Sequence, residues 1–448
     1  MKRPQACPSS FVLQMRRFWL AFGFTVVAWS ATDDWREVLS RVRENIARQI
    51  EKSTNYTCVE TVDRTSFRSS LDLLPGCAYE AKTPDRVKNM HDRLRLDVAV
   101  SEGKEIFSWY GQNKFSGSST IDDVVRRGAV SSGEFIGFLE NIFVHGGIRF
   151  EYDGRGVVDG VTTYLFNYVV PLSSSGYHVG TRHGKPAVPF HGSFSVRGSD
   201  FQLVNLSVVA DKIPENSLIC SAETEMTYQI AKISGQDALL PSLFVLKLDD
   251  VNHRFTVSRS SYSQCHAFVA ESTLQFDTRD AAASEVAHQP AIQEQLPAGT
   301  LLHIALKTPI DNEASYTGDP VEGILLHSVR TKDGAIIPKN SIVSGVITLF
   351  EDFDQPKHYY LLSIQFERLT FGRRVFLFRA GPAVSKLEGR KLTEIYGGPW
   401  PAEIQDAYND GVFVFRSPRV HLDQRFADNW ISQAVASAPS TSSTLSAR

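Results

Sequence analysis

Apolar and polar side chains alternate with a period of two along most of this chain, and this alternation constrains its fold most strongly. In residues 94–100 (LRLDVAV), for example, the apolar side chains occupy every second position. Successive side chains of a β-strand point to opposite faces, so the pattern predicts strands. The stretches with this pattern in the first two thirds of the chain are 55–62, 94–100, 106–109, 161–170, 190–196, 201–209, 223–233, 243–249, 254–260 and 266–276. Many strands with few helices predict a large antiparallel sheet.

Two segments have a helical period instead. In residues 33–52 apolar side chains recur at spacings of three and four, which predicts an amphipathic helix with one apolar stripe. Its opposite face mixes basic and acidic residues, which favours docking on its own domain over lying on a membrane surface. Residues 121–146 predict two helical pieces, interrupted at residues 128–133. We therefore expect helices packed on a curved antiparallel sheet over residues 33–276.

Composition changes after this sheet. Residues 277–296 lose the alternation and are rich in Ala, Gln and charge, so we interpret them as a linker. Short strand patterns at about ten-residue spacing then predict a small β-barrel or sandwich over residues 297–430. The Ser/Ala/Thr-rich residues 431–448 predict a disordered tail. The predicted fold class is mostly β (α+β), with two domains.

The N-terminus has the composition of a secretory leader. Four basic residues precede an uncharged apolar run at residues 18–29, and small residues follow it. Such an order is typical of signal peptides. The run has about 12 residues, whereas a membrane-spanning helix needs about 20. We expect residues 1–30 to be removed on export to the periplasm or the outside, with Met15 as an alternative start, leaving no transmembrane segment.

Charge and cysteine content bound the possible partners. The formal net charge is −3, and loss of the leader makes it more negative, so we expect no nucleic-acid partner. Four cysteines follow residue 30, which permits two disulfides in three connectivities in an exported chain. Cys58 lies in the first predicted strand of the sheet and Cys265 near the last, so we predict a bridge between them. Cys77 and Cys220 either pair or stay free.

Catalytic and metal-binding motifs are scarce. The sequence has no G-x-S-x-G, H-E-x-x-H, P-loop, G-x-G-x-x-G or EF-hand pattern. His178, His183 and His191 form the densest histidine group, which we interpret as surface histidines rather than a zinc or copper site. The acidic groups 249–250 and 351–354 are interpreted as turn residues rather than calcium ligands. We therefore assign no catalytic, metal or cofactor-binding residue.

Aromatic residues fall on many predicted strand faces, and two explanations remain open. They form an ordinary core, in which aromatic side chains dominate the packing, or some of them line a cavity for an apolar ligand. Both explanations bury the same side chains, so the sequence does not separate them. The candidate cavity residues are Phe107, Trp109, Tyr164, Phe166, Phe190 and Phe194.

The first half of the chain resembles an uncharacterised family of secreted bacterial proteins. The similarity lies in VLSRVRENIARQIEKSTNYTCVET, LRLDVAVSEGKEIFSW, YVVPLSSSGYHV and FHGSFSV. Its helix-then-sheet order also resembles the periplasmic lipoprotein carriers. That resemblance implies a curved antiparallel sheet that wraps helices and leaves an apolar cavity for acyl chains.

The second half is similar to a β-barrel module of conjugative-transfer and type IV secretion envelope proteins. The similarity lies in LPAGTLLHIALKTPI, GDPVEGILL and DGAIIPKNSIVSGVI, over about residues 296–380. Lys339-Asn340 replaces the more usual Ala-Gly-type turn, and the proline-rich channel-forming features are absent. The resemblance therefore implies a barrel but not a conduit.

Three functions follow from the sequence. The first is an exported, non-catalytic envelope protein that binds an apolar or lipid-like ligand, or a protein partner, in its first domain. The second is a structural scaffold that docks on an envelope complex through its barrel. The third is a periplasmic hydrolase with dispersed catalytic residues, which requires a nucleophile and a base within hydrogen-bond reach.

Overall fold

The structure of the protein is a computed structural model. The described residues are 34–51, 55–71, 73–77, 85–101, 103–112, 120–125, 127–158, 160–181, 184–267, 292–330, 334, 336–354, 358–383 and 411–433. The predicted leader, much of the predicted linker and most of the predicted tail lie outside this set. No helix within it is long and apolar enough to cross a membrane.

The predicted N-terminal helix is confirmed as α1 (Trp35–Glu51), whose apolar stripe is buried at Val38, Val42 and Ile46. The second helical region is interrupted at residues 128–133 as predicted, because its backbone has a positive φ at Gly128 and Gly133, where a helix cannot continue. The first piece is shorter than predicted, since the backbone is already extended at Val125. Its regular pieces are α2 (Ile121–Val124) and α3 (Gly137–Leu139), which continues into a π-helical turn (Glu140–Val144). Short 3₁₀ turns occur at Leu172–Ser174 and Glu215–Ser217.

A ten-stranded antiparallel sheet forms the first half of the described chain, as the alternation predicts. Its strands are β1 (Tyr56–Ser69), β2 (Arg86–Ser101), β3 (Lys104–Trp109), β4 (Arg149–Val158), β5 (Val161–Val170), β6 (Phe190–Arg197), β7 (Leu203–Ala210), β8 (Ile219–Ile233), β9 (Gln236–Asp250) and β10 (Arg254–Ala267). Their spatial order is β3-β2-β1-β10-β9-β8-β7-β6-β5-β4. Two disulfides, Cys58–Cys265 and Cys77–Cys220, tie this half together.

The second half forms a closed barrel. Its strands are β11 (Ile292–Gln295), β12 (Leu301–Leu306), β13 (Ile310–Asp311), β14 (Pro320–Leu325), β15 (Val329–Arg330), β16 (Ile336–Ile337), β17 (Ile342–Phe353), β18 (Tyr359–Phe371), β19 (Arg374–Pro382), β20 (Phe413–Phe415), β21 (His421–Leu422) and β22 (Ala427–Gln433). Six of them close a ring in the order β12-β14-β17-β18-β19-β22. Trp430 of β22 is fully buried in its interior.

The limits of the barrel differ from the predicted ones at both ends. Residues 292–295, assigned to the linker, form β11, which pairs in parallel with β19, and Arg374 holds Glu294 in an ion pair. Residues 431–433, assigned to the tail, belong to β22, whose pairing with β12 closes the ring. In both places pairing with a neighbouring strand of the barrel forms a strand that composition alone does not indicate.

One strand connects the two halves. Along one edge, β2 pairs with β1. Along its other edge, β2 pairs with β3 and, at residues 90–92, with β17 of the barrel. Between these two ladders Thr317 donates its N–H to the Arg93 carbonyl at 2.9 Å and accepts the Arg95 N–H at 2.8 Å. The sheet and the barrel therefore form one continuous hydrogen-bonded structure at a seam, which we define as residues 90–95 with 317 and 351–353.

Candidate functional site

A pocket of about 450 Å³ lies over the inner face of β8 and β9. Its floor is apolar and consists of Ala222, Leu246 and Leu248. We call it the large pocket. Its walls come from the α2 and α3 region and from the loop between β5 and β6, and comprise Thr120, Ile121, Asp122, Val130, Ser131, Ser132, Gly133, Gly137, Phe138, Glu140, Asn141, His145, Gly176, Tyr177, His178, Val179, Gly180 and Lys185.

The loop wall is a tight, ordered structure. Val179 donates its N–H to the Pro186 carbonyl at 3.1 Å, and Val188 donates to Tyr177 at 2.9 Å. The two valines are buried and anchor the loop on β8. At Gly180 a Cβ would lie 2.0 Å from the Gly184 carbonyl oxygen, so only glycine allows this close crossing of the two arms.

A smaller pocket of about 220 Å³ adjoins the large one at the seam. The two pockets share Asp122, Val130, Gly180, Lys185 and Leu248. We call the combined space the cleft. The ion pair of Lys185 with Asp122 lies at this junction. The small pocket adds arginine side chains at positions 68, 127 and 254, so the cleft changes from an apolar floor to a charged end.

Buried ion pairs support the charged end of the cleft. Arg64 of β1 and Asp92 of β2 are directly opposite in register, and Arg64 Nε donates to Asp92 Oδ1 at 2.9 Å. Arg64 Nη1 also donates to the Arg127 carbonyl at 2.6 Å. Arg127 Nη1 lies 3.6 Å from Glu351 Oε2. Burial raises the pKa of the Glu351 carboxyl, and the Arg127 guanidinium offsets part of the rise.

The acidic residues near the seam correct one sequence interpretation. Glu351 and Asp352 lie within β17 and not in a turn, because β17 extends to Phe353 and pairs there with β2. Asp352, Asp354 and His358 bring possible metal-ligand atoms within 4.8 Å of one another. His358 Nε2 lies 2.8 Å from Asp352 Oδ1 and Lys88 Nζ lies 3.2 Å from Asp354, so both carboxylates have side-chain partners without a metal ion.

A cluster of three glutamates lies behind the wall of the large pocket. Glu60 of β1 and Glu134, which lies just before α3, are buried, and Glu105 of β3 is partly buried. Glu105 accepts the backbone N–H groups of Gly133, at 2.7 Å, and of Phe135, at 3.0 Å. We call Glu60, Glu105 and Glu134 the glutamate cluster.

Burial raises the pKa of every carboxyl in the glutamate cluster. For Glu60 the pKa rises to about 7, with hydrogen bonds from Ser260 and Tyr262 opposing the rise. For Glu134 the charges of Glu105 and Glu60 add to the effect of burial. The backbone N–H donors oppose the rise for Glu105. Glu60 and Glu105 therefore both act to keep the Glu134 carboxyl protonated.

We expect the free energy of unfolding to fall as the pH rises from about 4.5 to about 7. A folded-state pKa above the unfolded value means that the native protein binds more protons, so its stability decreases with rising pH. The shift of Glu60 from 4.5 to about 7 corresponds to roughly 3 kcal/mol across this window. Urea unfolding at several pH values should show this slope, and Glu60→Gln should flatten it. An equal slope in wild type and variant would contradict the assignment.

The structure places most of the candidate cavity residues within packed cores. Phe107, Tyr164, Phe166, Phe190 and Phe194 are buried, and Trp109 is partly buried. None of the six lines either pocket of the cleft. Phe190 packs behind the pocket wall, with its ring centroid 5.6 Å from that of Tyr177. The walls of the large pocket are formed instead mainly by loop residues, whose order in sequence has no simple period.

Two of the three grouped histidines are surface residues, as predicted. His178 is exposed beside the mouth of the large pocket, and His191 forms an ion pair with Asp211 at 2.9 Å. His183 lies outside the described residues. The sequence analysis missed the glutamate cluster, although Glu60 shares the inward face of β1 with Cys58 and Val62. An acidic residue on the apolar face of a predicted strand was the available signal.

Comparisons with known proteins give distant structural similarity. No protein-family model matches the chain, and no curated protein matches it. The chain is similar to a DUF1329 family protein from Desulfovibrio piger (10% identity, 52% of this chain and 93% of that one, TM-score 0.24). It is also similar to a LolA superfamily protein from Nitrosomonas europaea (10% identity, 52% and 93%, TM-score 0.25). A third is the lipoprotein LppX from Mycobacterium tuberculosis (10% identity, 52% and 97%, TM-score 0.19). These TM-scores are low, so what this chain binds is inferred from its own residues.

Proposed function

We propose that the protein is an exported envelope protein that binds an amphipathic, lipid-like ligand in the cleft and catalyses no reaction. The observation that carries this proposal is the continuity of two unlike pockets. The floor of the large pocket is aliphatic, at Leu246 and Leu248, and the small pocket that joins it is bordered by arginines. An apolar concavity with a few polar groups at one end is the usual form of a small-molecule site.

The size of the cleft agrees with this ligand class. The large pocket, of about 450 Å³, falls within the range of roughly 300 to 1,000 Å³ that is typical of ligand sites, and the small pocket of about 220 Å³ extends it. Phe138 adds an aromatic ring to the wall over the aliphatic floor. An acyl or similar chain would lie on this floor, with its polar end beside Lys185 and Arg127.

Export is supported by the predicted leader at residues 1–30 and by the two disulfides, which persist in oxidising compartments. The alternative function is a scaffold that binds an envelope protein through the barrel. It is favoured by exposed apolar side chains there, of which Leu301 and Ile431 are directly paired across β12 and β22.

The test is saturable binding of the fluorescent fatty acid cis-parinaric acid to the purified protein. Leu248 borders both pockets, so Leu248→Trp fills their junction and should weaken binding by about tenfold or more, equivalent to 1.4 kcal/mol. The matched control is Leu243→Trp, the same substitution on the same strand at an exposed position outside the cleft. It should bind like wild type.

Absence of saturable uptake by the wild-type protein would overturn the ligand proposal and favour the scaffold. Equal weakening by both tryptophan variants would mean that the fatty acid binds elsewhere on the surface. Circular dichroism and thermal unfolding of both variants would show that each is folded.

A further inference from the structure

The wall of the large pocket is attached to the sheet by buried apolar side chains, Phe135 and Ile136, and by a small set of hydrogen bonds. We define the wall as residues 130–138, of which 130–133, 137 and 138 face the pocket. One carboxylate, Glu105, accepts the N–H groups of residues 133, 135 and 136. Tyr228 of β8 donates its hydroxyl to the Glu134 carbonyl at 2.7 Å. These hydrogen bonds converge on residues 133–136, so the polar part of the attachment depends on the charge state of Glu105 and its neighbours.

Acidic and phenolic groups from several elements surround this attachment. The charges that act on Glu60 and Glu134 are those of the neighbouring carboxyls. Burial also raises the pKa of the surrounding tyrosines, so they stay neutral over the range in which carboxyls titrate. The titratable groups are Tyr56 and Glu60 of β1, Glu105 of β3, Glu134 of the wall, Tyr177 of the loop between β5 and β6, Tyr228 of β8 and Tyr262 of β10.

Of the three carboxyls, Glu105 is the one whose negative charge has backbone donors. The N–H groups of residues 133, 135 and 136 oppose the effect of burial on its pKa, and so does a hydrogen bond with the Glu134 side chain, which Glu134 can donate only while it is protonated. When Glu134 loses its proton, this hydrogen bond is lost and two buried carboxylates face each other. Like charges at short range in a buried site repel strongly.

We propose that the glutamate cluster is a proton-dependent latch that holds the wall against the sheet, so that the cleft is closed around its ligand at mildly acidic pH and opens as the pH rises. Glu134 belongs to the wall, whereas Glu60 and Glu105 belong to the sheet, so repulsion among them pushes the wall outward. Gly133, at a φ of +104°, lies within the wall, and Gly128, at +73°, lies just before it. Glycine at these positions tolerates the backbone rotation that opening requires. This inference rests on the proposed function for its ligand, but the movement of the wall is measurable without one.

The test is amide hydrogen exchange of the full chain without ligand, from pH 6 to pH 9, expressed as protection factors corrected for the intrinsic pH dependence of exchange. In the wild-type protein we expect protection at Gly133, Phe135 and Ile136 to fall at least tenfold over this range. Protection in the β8–β9 ladder should change far less. Glu134→Gln keeps a hydrogen-bond donor toward Glu105 and cannot ionise, so its wall should stay protected at pH 9. The control Glu223→Gln, on the exposed face of β8, should behave like wild type.

Constant protection of the wall in wild type, or an equal fall in wild type and Glu134→Gln, would overturn the latch. If Glu134→Gln does not fold, the comparison of wild type with Glu60→Gln over the same pH series tests the latch. Glu60→Gln removes one negative charge from the cluster, so its wall should open at a higher pH than that of wild type. Binding of cis-parinaric acid separates the two proposals. If the wall opens with rising pH but the protein takes up no fatty acid, the latch is supported and the proposed ligand is rejected. If the protein takes up fatty acid at every pH and the wall stays protected, the ligand is supported and the latch is rejected.

Discussion

Replacing Cys58 and Cys265 together by alanine is expected to lower the free energy of unfolding by roughly 5 kcal/mol. The bridge joins residues separated by 207 positions, so its loss releases a long loop in the unfolded chain. Cys58 is buried on the inward face of β1, opposite β10, so the bridge also fixes the pairing of the first and last strands of the sheet in sequence. Urea denaturation of the variant beside wild type measures the loss.

The second disulfide provides the matched control. Cys77 and Cys220 are 143 residues apart, and the entropic cost of a loop grows only with the logarithm of its length. Cys77→Ala with Cys220→Ala should therefore cost nearly as much. A reductant should destabilise wild type by more than either variant, since each variant retains one bridge. Non-reducing peptide mapping that links Cys58 to a cysteine other than Cys265 would contradict the first prediction.

Asp92→Asn is expected to destabilise the protein by about 3 to 5 kcal/mol. Both partners of the Arg64–Asp92 pair have 2% of their side-chain surface exposed. Removing the carboxylate leaves the Arg64 guanidinium buried without its counter-ion, and breaking one partner of a buried pair typically costs this much. Because Arg64 also holds the Arg127 carbonyl, the charged end of the cleft should loosen as well. Thermal and urea unfolding measure the first effect.

Two variants test whether the cost comes from the unpaired charge. Asp63→Asn is the same substitution on the solvated face of β1, where Asp63 is 48% exposed and pairs with His91, so it should cost no more than about 1 kcal/mol. Arg64→Met combined with Asp92→Leu removes both charges, and it should recover most of the stability that Asp92→Asn loses. A double variant as unstable as Asp92→Asn would show that shape, and not charge, sets the cost.

The spacing of apolar residues in the sequence was sufficient to predict most of the regular helices and strands of the first half. The three-and-four spacing of residues 33–52 predicted α1 to within two residues, and the alternation at 94–100 predicted the second half of β2. The strand β4 was missed because Gly154 and Gly156 interrupt its alternation. They contribute backbone hydrogen bonds to the ladder with β5 but no side-chain pattern. Strand pairing depends on contacts between residues that are far apart in the sequence, so the local pattern of side chains does not predict it.

The candidate site was less predictable than the fold for a related reason. The aromatic strand faces indicated buried side chains, and Phe166 and Phe194 are indeed buried against each other with ring centroids 5.0 Å apart. Whether a buried sheet face encloses a cavity depends on the distance between that face and the loops that cover it. The local sequence pattern does not predict this distance. The charged residues on the inward face of β1, Glu60 and Arg64, were the better indicators, because a charge is buried only where partners have been arranged for it.

The position of β2 between the two halves has a mechanical consequence. At residues 90–92 it pairs with β1 along one edge and with β17 along the other, so the same three residues are held from both sides. Separating the barrel from the sheet here means breaking a ladder in the interior of a sheet and not at its free edge. The cleft therefore has a rigid boundary at the seam, and we expect its opening motions to occur in the loops on the opposite side.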